Sequence, residues 1–149
     1  RDLLGEKFDL AIFHPRCTFL TLAGARWFGH PSFPSRYNDR EDAISFFNQL
    51  KQCAIPRIAI ENPQPLKYVM DRIGRYDQKF QPWNFEEPET KAICLWLKNL
   101  PPLKLKTIKK PEKITARVWR MPPGPERQKE RSRFFPKVAE AFVEQWGGL

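Results

Sequence analysis

Two short apolar runs constrain this chain more than anything else in it. Phe8–Phe13 (FDLAIF) stops abruptly at His14-Pro15, with Cys17 in the turn that follows. Further along, Arg57–Ile60 stops in the same way at Glu61-Asn62-Pro63. Short apolar runs bounded by turn residues read as buried strands. Between them, Ala43, Phe46, Phe47 and Leu50 fall at the i, i+3, i+4, i+7 spacing of an amphipathic helix starting near Glu41, with Asn38 or Asp39 as its cap. A strand, a helix and a second strand at this spacing predict a β–α–β unit with parallel strands. In such a unit, ligand sites form at the carboxyl ends of neighbouring strands. Cys17 and Glu61-Asn62 are therefore expected to build one site.

The flanking segments are less regular. Thr18–Phe28 reads as a helical turn or ordered loop, and Gly29–Arg40 as a Pro/Ser/Gly-rich loop. A second helix is expected over Leu66–Ile73, stopping near Gly74. A short strand follows over Lys79–Gln81, then a loop over Pro82–Glu89 and a buried strand over Lys91–Lys98. Leu100–Gly124 shows no periodicity. Phe135, Val138, Ala139, Phe142, Val143 and Trp146 repeat at helical spacing, with Pro136 suited to a first turn and Gly147-Gly148 to a stop. The chain is read as one domain, 1–149, long enough for a substantial core.

Charge is concentrated. The chain carries a formal +9, and residues 104–133 alone hold eleven Lys/Arg against three Glu. A solvated loop is one explanation. The other is a phosphate-contacting surface, because neutralising phosphates releases counterions. Trp119 and Met121 among Arg117, Arg120 and Arg127 lean towards the second. No apolar run reaches the roughly 18 residues of a membrane span. Three cysteines, Cys17, Cys53 and Cys94, are odd in number and widely spaced, with only His14 and His30 beside them. No metal site is expected, and reduced thiols fit a cytoplasmic location.

The chemistry these residues can do is specific. A thiol in a turn becomes a nucleophile as its thiolate, which a nearby positive charge such as Arg16 favours. Neither His14 nor His30 looks like a partner for protease-type catalysis. A glutamate at a strand end in a partly dry cleft suits proton donation, while Asn62 and Pro63 shape the turn.

The motifs HPRCTFLTLAG (14–24) and IENP (60–63) resemble the Pro-Cys loop and Glu-Asn motif of the cytosine-C5 DNA methyltransferases. QPWNFEEPETKAICLWLK (81–98) and RSRFFPKVAEAFVEQWG (131–147) extend the resemblance to compact phage-type members of that family. Arg16 stands where those enzymes usually carry Pro. The resemblance implies a partial Rossmann-like sheet of the class I methyltransferase type, mostly parallel with flanking helices. The sequence meets this pattern near its fourth strand, so the expectation is a catalytic half without the donor-binding first strands. It further implies that Cys17 attacks C6 of a flipped cytosine, that Glu61 holds N3, and that Asn62 orients the loop. The C5 methyl group would come from S-adenosylmethionine. Pro15, Arg16, Pro63 and Lys91 would line the base pocket. Lys109, Lys110, Arg117, Arg120, Arg127 and Arg131 would contact DNA phosphates. A bacterial or phage-infected host cytoplasm is implied, as is a homo-oligomer or partner chain covering the open sheet edge.

Two other classes fit parts of the same sequence. One is a non-catalytic nucleic-acid-binding or interaction module that keeps the fold without the donor site. The other is a nucleotide-modifying enzyme with a cysteine nucleophile, against which the long basic segment argues.

Overall fold

A computed structural model describes residues 7–114 and 117–149. Its fold is α/β: a four-stranded open sheet with helices, in the strand order β1-β2-β4-β3. β1 (Leu10–Phe13), α1 (Arg36–Gln52) and β2 (Arg57–Asn62) form the expected β–α–β unit. β1 and β2 are parallel, in a register that pairs Leu10 with Arg57 and Phe13 with Ile60.

The expected mostly parallel sheet holds for this pair and not beyond it. β4 (Ile93–Lys98) runs antiparallel to β2, pairing Ile58 with Lys98 and Asn62 with Cys94. An apolar run reports burial on both faces and carries no information on direction, so β4 read as a buried strand without revealing its sense. β3 (Gln78–Phe80) is the far edge.

The described residues group into two compact units. The first comprises the described residues through Lys79 together with Ile93–Pro102; the second comprises Phe80–Ala92 and Leu103–Leu149. The core of the first unit joins Ile44, Phe47 and Leu50 of α1, Ile58 and Ile60 of β2, Val69 and Ile73 of α2 (Lys67–Ile73), and Cys94 and Trp96 of β4. Each large apolar side chain buried there contributes about 2 kcal/mol relative to exposure. The Phe47 and Trp96 rings meet edge to face at 4.9 Å. Gly74 ends α2 at φ +88, a conformation open to glycine, and its N–H caps the Met70 carbonyl.

α1 begins at Arg36, earlier than the apolar spacing suggests, so Asn38 and Asp39 lie inside it and Ser35 takes the cap position. The Ser35 hydroxyl donates to the Asp39 carboxylate at 2.9 Å. The added turn exists because Arg36 is itself buried, at 7% exposure.

In the second unit, Pro82–Phe85 forms a 3-10 turn where a loop was expected. The Gln81 and Asn84 side chains close it as a capping box. α3 (Arg117–Arg120) and α4 (Pro125–Ser132) are short helices, the second without a buried residue. α5 (Pro136–Trp146) matches the sequence reading, and its Phe142 and Trp146 rings stack at 5.0 Å.

Candidate functional site

The parallel register continues past the end of β1. Phe13 pairs with Ile60, and the next two positions, His14 with Glu61 and Pro15 with Asn62, keep the same offset of 47. They are joined through side chains instead of a ladder. His14 Nδ1 lies 3.0 Å from Glu61 Oε2. Asn62 Nδ2 donates to the Pro15 carbonyl at 2.8 Å and to the Glu61 carbonyl at 3.2 Å.

The turn carrying Cys17 is pinned from three sides. The Cys17 carbonyl accepts from the backbone N–H groups of Leu20 and Thr21 and from the Thr21 hydroxyl. The Leu66 N–H donates to the Leu20 carbonyl at 2.9 Å, and Thr21 bridges to Pro65. Cys17 thus lies between Pro15, bonded to the last residue of β2, and Leu20, bonded to the segment that follows it. Its thiol is half-buried and free of any disulfide.

The third anchor is Arg36. Its Nη2 donates to the Thr18 and Gly24 carbonyls, each at 3.1 Å. Its guanidinium lies 5.1 Å from the Phe19 ring centre and 5.2 Å from that of Phe28. Gly24 is required there, because a Cβ would collide with the Thr18 carbonyl and the Arg36 guanidinium. The glycine of the motif has this packing reason.

Two acceptors at the end of β2 have no hydrogen-bond partner among the described residues. Glu61 is 8% exposed and Asn62 2%. Glu61 Oε1 and Asn62 Oδ1 are both buried and unpaired. Unsatisfied buried acceptors cost about 1–3 kcal/mol each, and their clustering at a site is what a donor-bearing ligand would relieve. Cys94, opposite Asn62, is fully buried with its Sγ 3.9 Å from Gln64 Oε1. Burial pushes its thiol up from 9.0 to about 11; the Glu61 charge adds to this and Lys79 opposes it. It is a structural thiol.

The first unit therefore brings together Pro15, Cys17, Glu61 and Asn62, with exposed Arg16 and half-buried Pro63 beside them in the chain. The sequence reading passed over His14 and Arg36. Extending the parallel register past Phe13 would have found the first. No sequence signal marks the second, since a buried arginine looks like any other.

The remaining expected residues lie in the second unit. The Lys91 ammonium donates to the Arg131 carbonyl at 3.2 Å and lies 5.9 Å from the Phe135 ring centre. Lys109, Lys110, Arg120 and Arg131 are exposed. Arg117 is engaged: it binds the Glu130 carboxylate at 2.6 Å, and that hydrogen bond holds the Glu130 carboxyl below its ordinary range. Glu89 lies 3.9 Å from Arg117. The Nε of Arg127 is buried without a hydrogen-bond partner among the described residues. Met121 is half-buried, and the side chain of Trp119 lies outside the described residues.

S-adenosylmethionine needs a cradle. Nucleotide-type cofactors rest on an open glycine turn after one strand and on an acidic residue at the next strand end. Here the space at Gly24 is closed by the Thr18 carbonyl and Arg36, and the acid at the end of β2 is held by His14. The described residues do not fit the donor. Among them, no group of His, Cys, Asp or Glu gathers to hold a metal ion.

No family model, curated protein or solved structure matches the chain.

Proposed function

We propose that this chain is the catalytic half of a cytosine-C5 DNA methyltransferase-like protein with a partial Rossmann-like sheet, and that its described residues handle a cytosine flipped out of duplex DNA. One observation carries the reading. A single parallel register places the Cys17 turn beside Glu61-Asn62, leaving a buried, unpaired Glu61 oxygen at the strand end. An antiparallel strand is compatible with it, since many doubly wound sheets carry one.

In this reading the base leaves the stack at a cost of roughly a few kcal/mol. The Sγ electron pair of Cys17 forms a bond to C6. The C5=C6 π pair moves onto C5 and through C4 towards N3, where a proton held by Glu61 stabilises it. Elimination returns the pair to sulfur, the proton to Glu61 and the double bond to the ring. Asn62, through the Pro15 carbonyl, keeps the thiol-bearing turn in place. The reading requires S-adenosylmethionine to be held by other residues.

Covalent trapping tests it. Duplex DNA carrying 2-pyrimidinone in place of cytosine accepts a thiolate at C6 without a methyl donor. The expected result is a denaturant-resistant adduct, absent with Cys17→Ser and slowed about 10²- to 10⁴-fold with Glu61→Gln. A second reading, a nucleic-acid-binding module without the chemistry, is favoured by the His14 contact on Glu61 and by the poor fit to the donor. Salt-sensitive DNA binding with no adduct in any sequence context would decide for it.

A further inference from the structure

The segment that follows the Cys17 turn carries a cluster of aromatic rings and arginines that the base chemistry does not use. Trp27 meets His30 at 5.5 Å and Phe33 at 5.4 Å between ring centres, both edge to face. Phe28 packs on Tyr37 at 5.3 Å. Arg26 lies 4.7 Å over Trp27, and Arg40 lies 5.0 Å from Phe28 and 5.3 Å from Tyr37. Aromatic side chains that pack this closely are usually core. Here Tyr37 is 50% and Phe33 44% exposed, and both belong to the first unit without entering its core.

Charge identifies the occupant. Residues 14–40 hold four arginines against one aspartate. That aspartate, Asp39, is engaged by the Ser35 hydroxyl; just beyond, Glu41 is taken up by Tyr68, Arg72 and, at 3.8 Å, Arg40, and Asp42 is exposed. Exposed rings interleaved with arginines are the chemistry of a single-stranded nucleic-acid platform: bases stack on ring faces while cations follow the backbone. The cluster is also tied to the Cys17 turn. The buried Arg36 guanidinium contacts the Phe28 ring and bonds the carbonyl of Thr18, next to Cys17.

We propose that Phe33 and Tyr37 form a stacking platform for unpaired DNA bases, with Trp27, Phe28, Arg26 and Arg40 behind them. The platform rests on the reading above only for the polymer it serves. It holds strand bases beside the reacting one, and its binding is reversible.

The experiment uses the full chain with Cys17→Ser, so that no covalent step contributes. Fluorescence anisotropy measures its affinity for a labelled oligothymidylate and for an abasic strand of equal length and charge. Phe33→Leu and Tyr37→Leu keep apolar bulk and remove the ring face; Tyr37→Trp restores one. The expected result is a loss of roughly 5- to 100-fold per leucine variant on oligothymidylate. The abasic strand should lose less than twofold, and Tyr37→Trp should bind as the parent does. No binding by the parent, equal losses on both strands, or unchanged affinity in the leucine variants would overturn the platform. Trapping with the unmodified thiol is read separately, so failure of the chemistry and failure of the platform give different patterns.

Discussion

Gly24 has no room for a side chain, and the reason is a cation. Arg36 fills the space a Cβ would take while satisfying the Thr18 and Gly24 carbonyls. Gly24→Ala is therefore expected to destabilise the fold by about 2 kcal/mol or more, measured as a drop in the urea midpoint. Arg36→Met keeps most of the stem and leaves two carbonyls unpaired, so a loss of about 3 kcal/mol is expected by the same measurement. Cys94 gives a pH signature. Its folded form favours the neutral thiol, so its contribution is intact below pH 9.0 and is lost as pH rises towards about 11. Wild type should lose about 2 kcal/mol more than Cys94→Ala between those values in pH-dependent urea melts. Little of this residue-level detail was legible in the sequence. Cys17, Glu61 and Asn62 stood out because their residue types are unusual at strand ends, whereas Arg36 and His14 act through where the fold brings them.

At the scale of elements, the two strands were legible as short apolar runs stopped by turn residues, and the helix between them by its 3.6 period. The direction of β4 was not, since both of its faces are buried whichever way it runs. The start of α1 was missed because its first turn is anchored by a charge that hydrophobic spacing does not register. The site depends on the offset shared by β1 and β2. Inserting one alanine between Ile60 and Glu61 would break the match of His14 to Glu61 and of Pro15 to Asn62 and turn both side chains to the other face. Adduct formation is expected to fall to the Cys17→Ser background, read on a denaturing gel. Recovery of wild-type trapping would show that the register is not what builds the site.

At the scale of the whole molecule, two units share the chain, and none of their described helices is long and apolar enough to cross a membrane. The basic segment 104–133 lies in the second unit, but its members are not equivalent. Lys109 and Lys110 are exposed, whereas Arg117 is already paired with Glu130. If the unit contacts phosphates, replacing Lys109 and Lys110 with alanine should shallow the slope of log K against log salt by about 1.8. Arg117→Ala should change it by less than half as much per residue. Titrations at several salt concentrations would separate these outcomes.

The constant offset between β1 and β2 also bears on how such a chain can change over generations. What must be preserved is the alignment of two strand ends, and the crossover joining them contributes anchors without setting that alignment. Insertions or deletions within residues 29–35 change the sequence separation of the strands and leave their pairing, and so the match of His14 to Glu61, intact. A lineage can therefore vary the length and aromatic content of that segment while the thiol and the carboxylate stay in step. Innovation in what the protein touches is thereby uncoupled from the conservation of what it does.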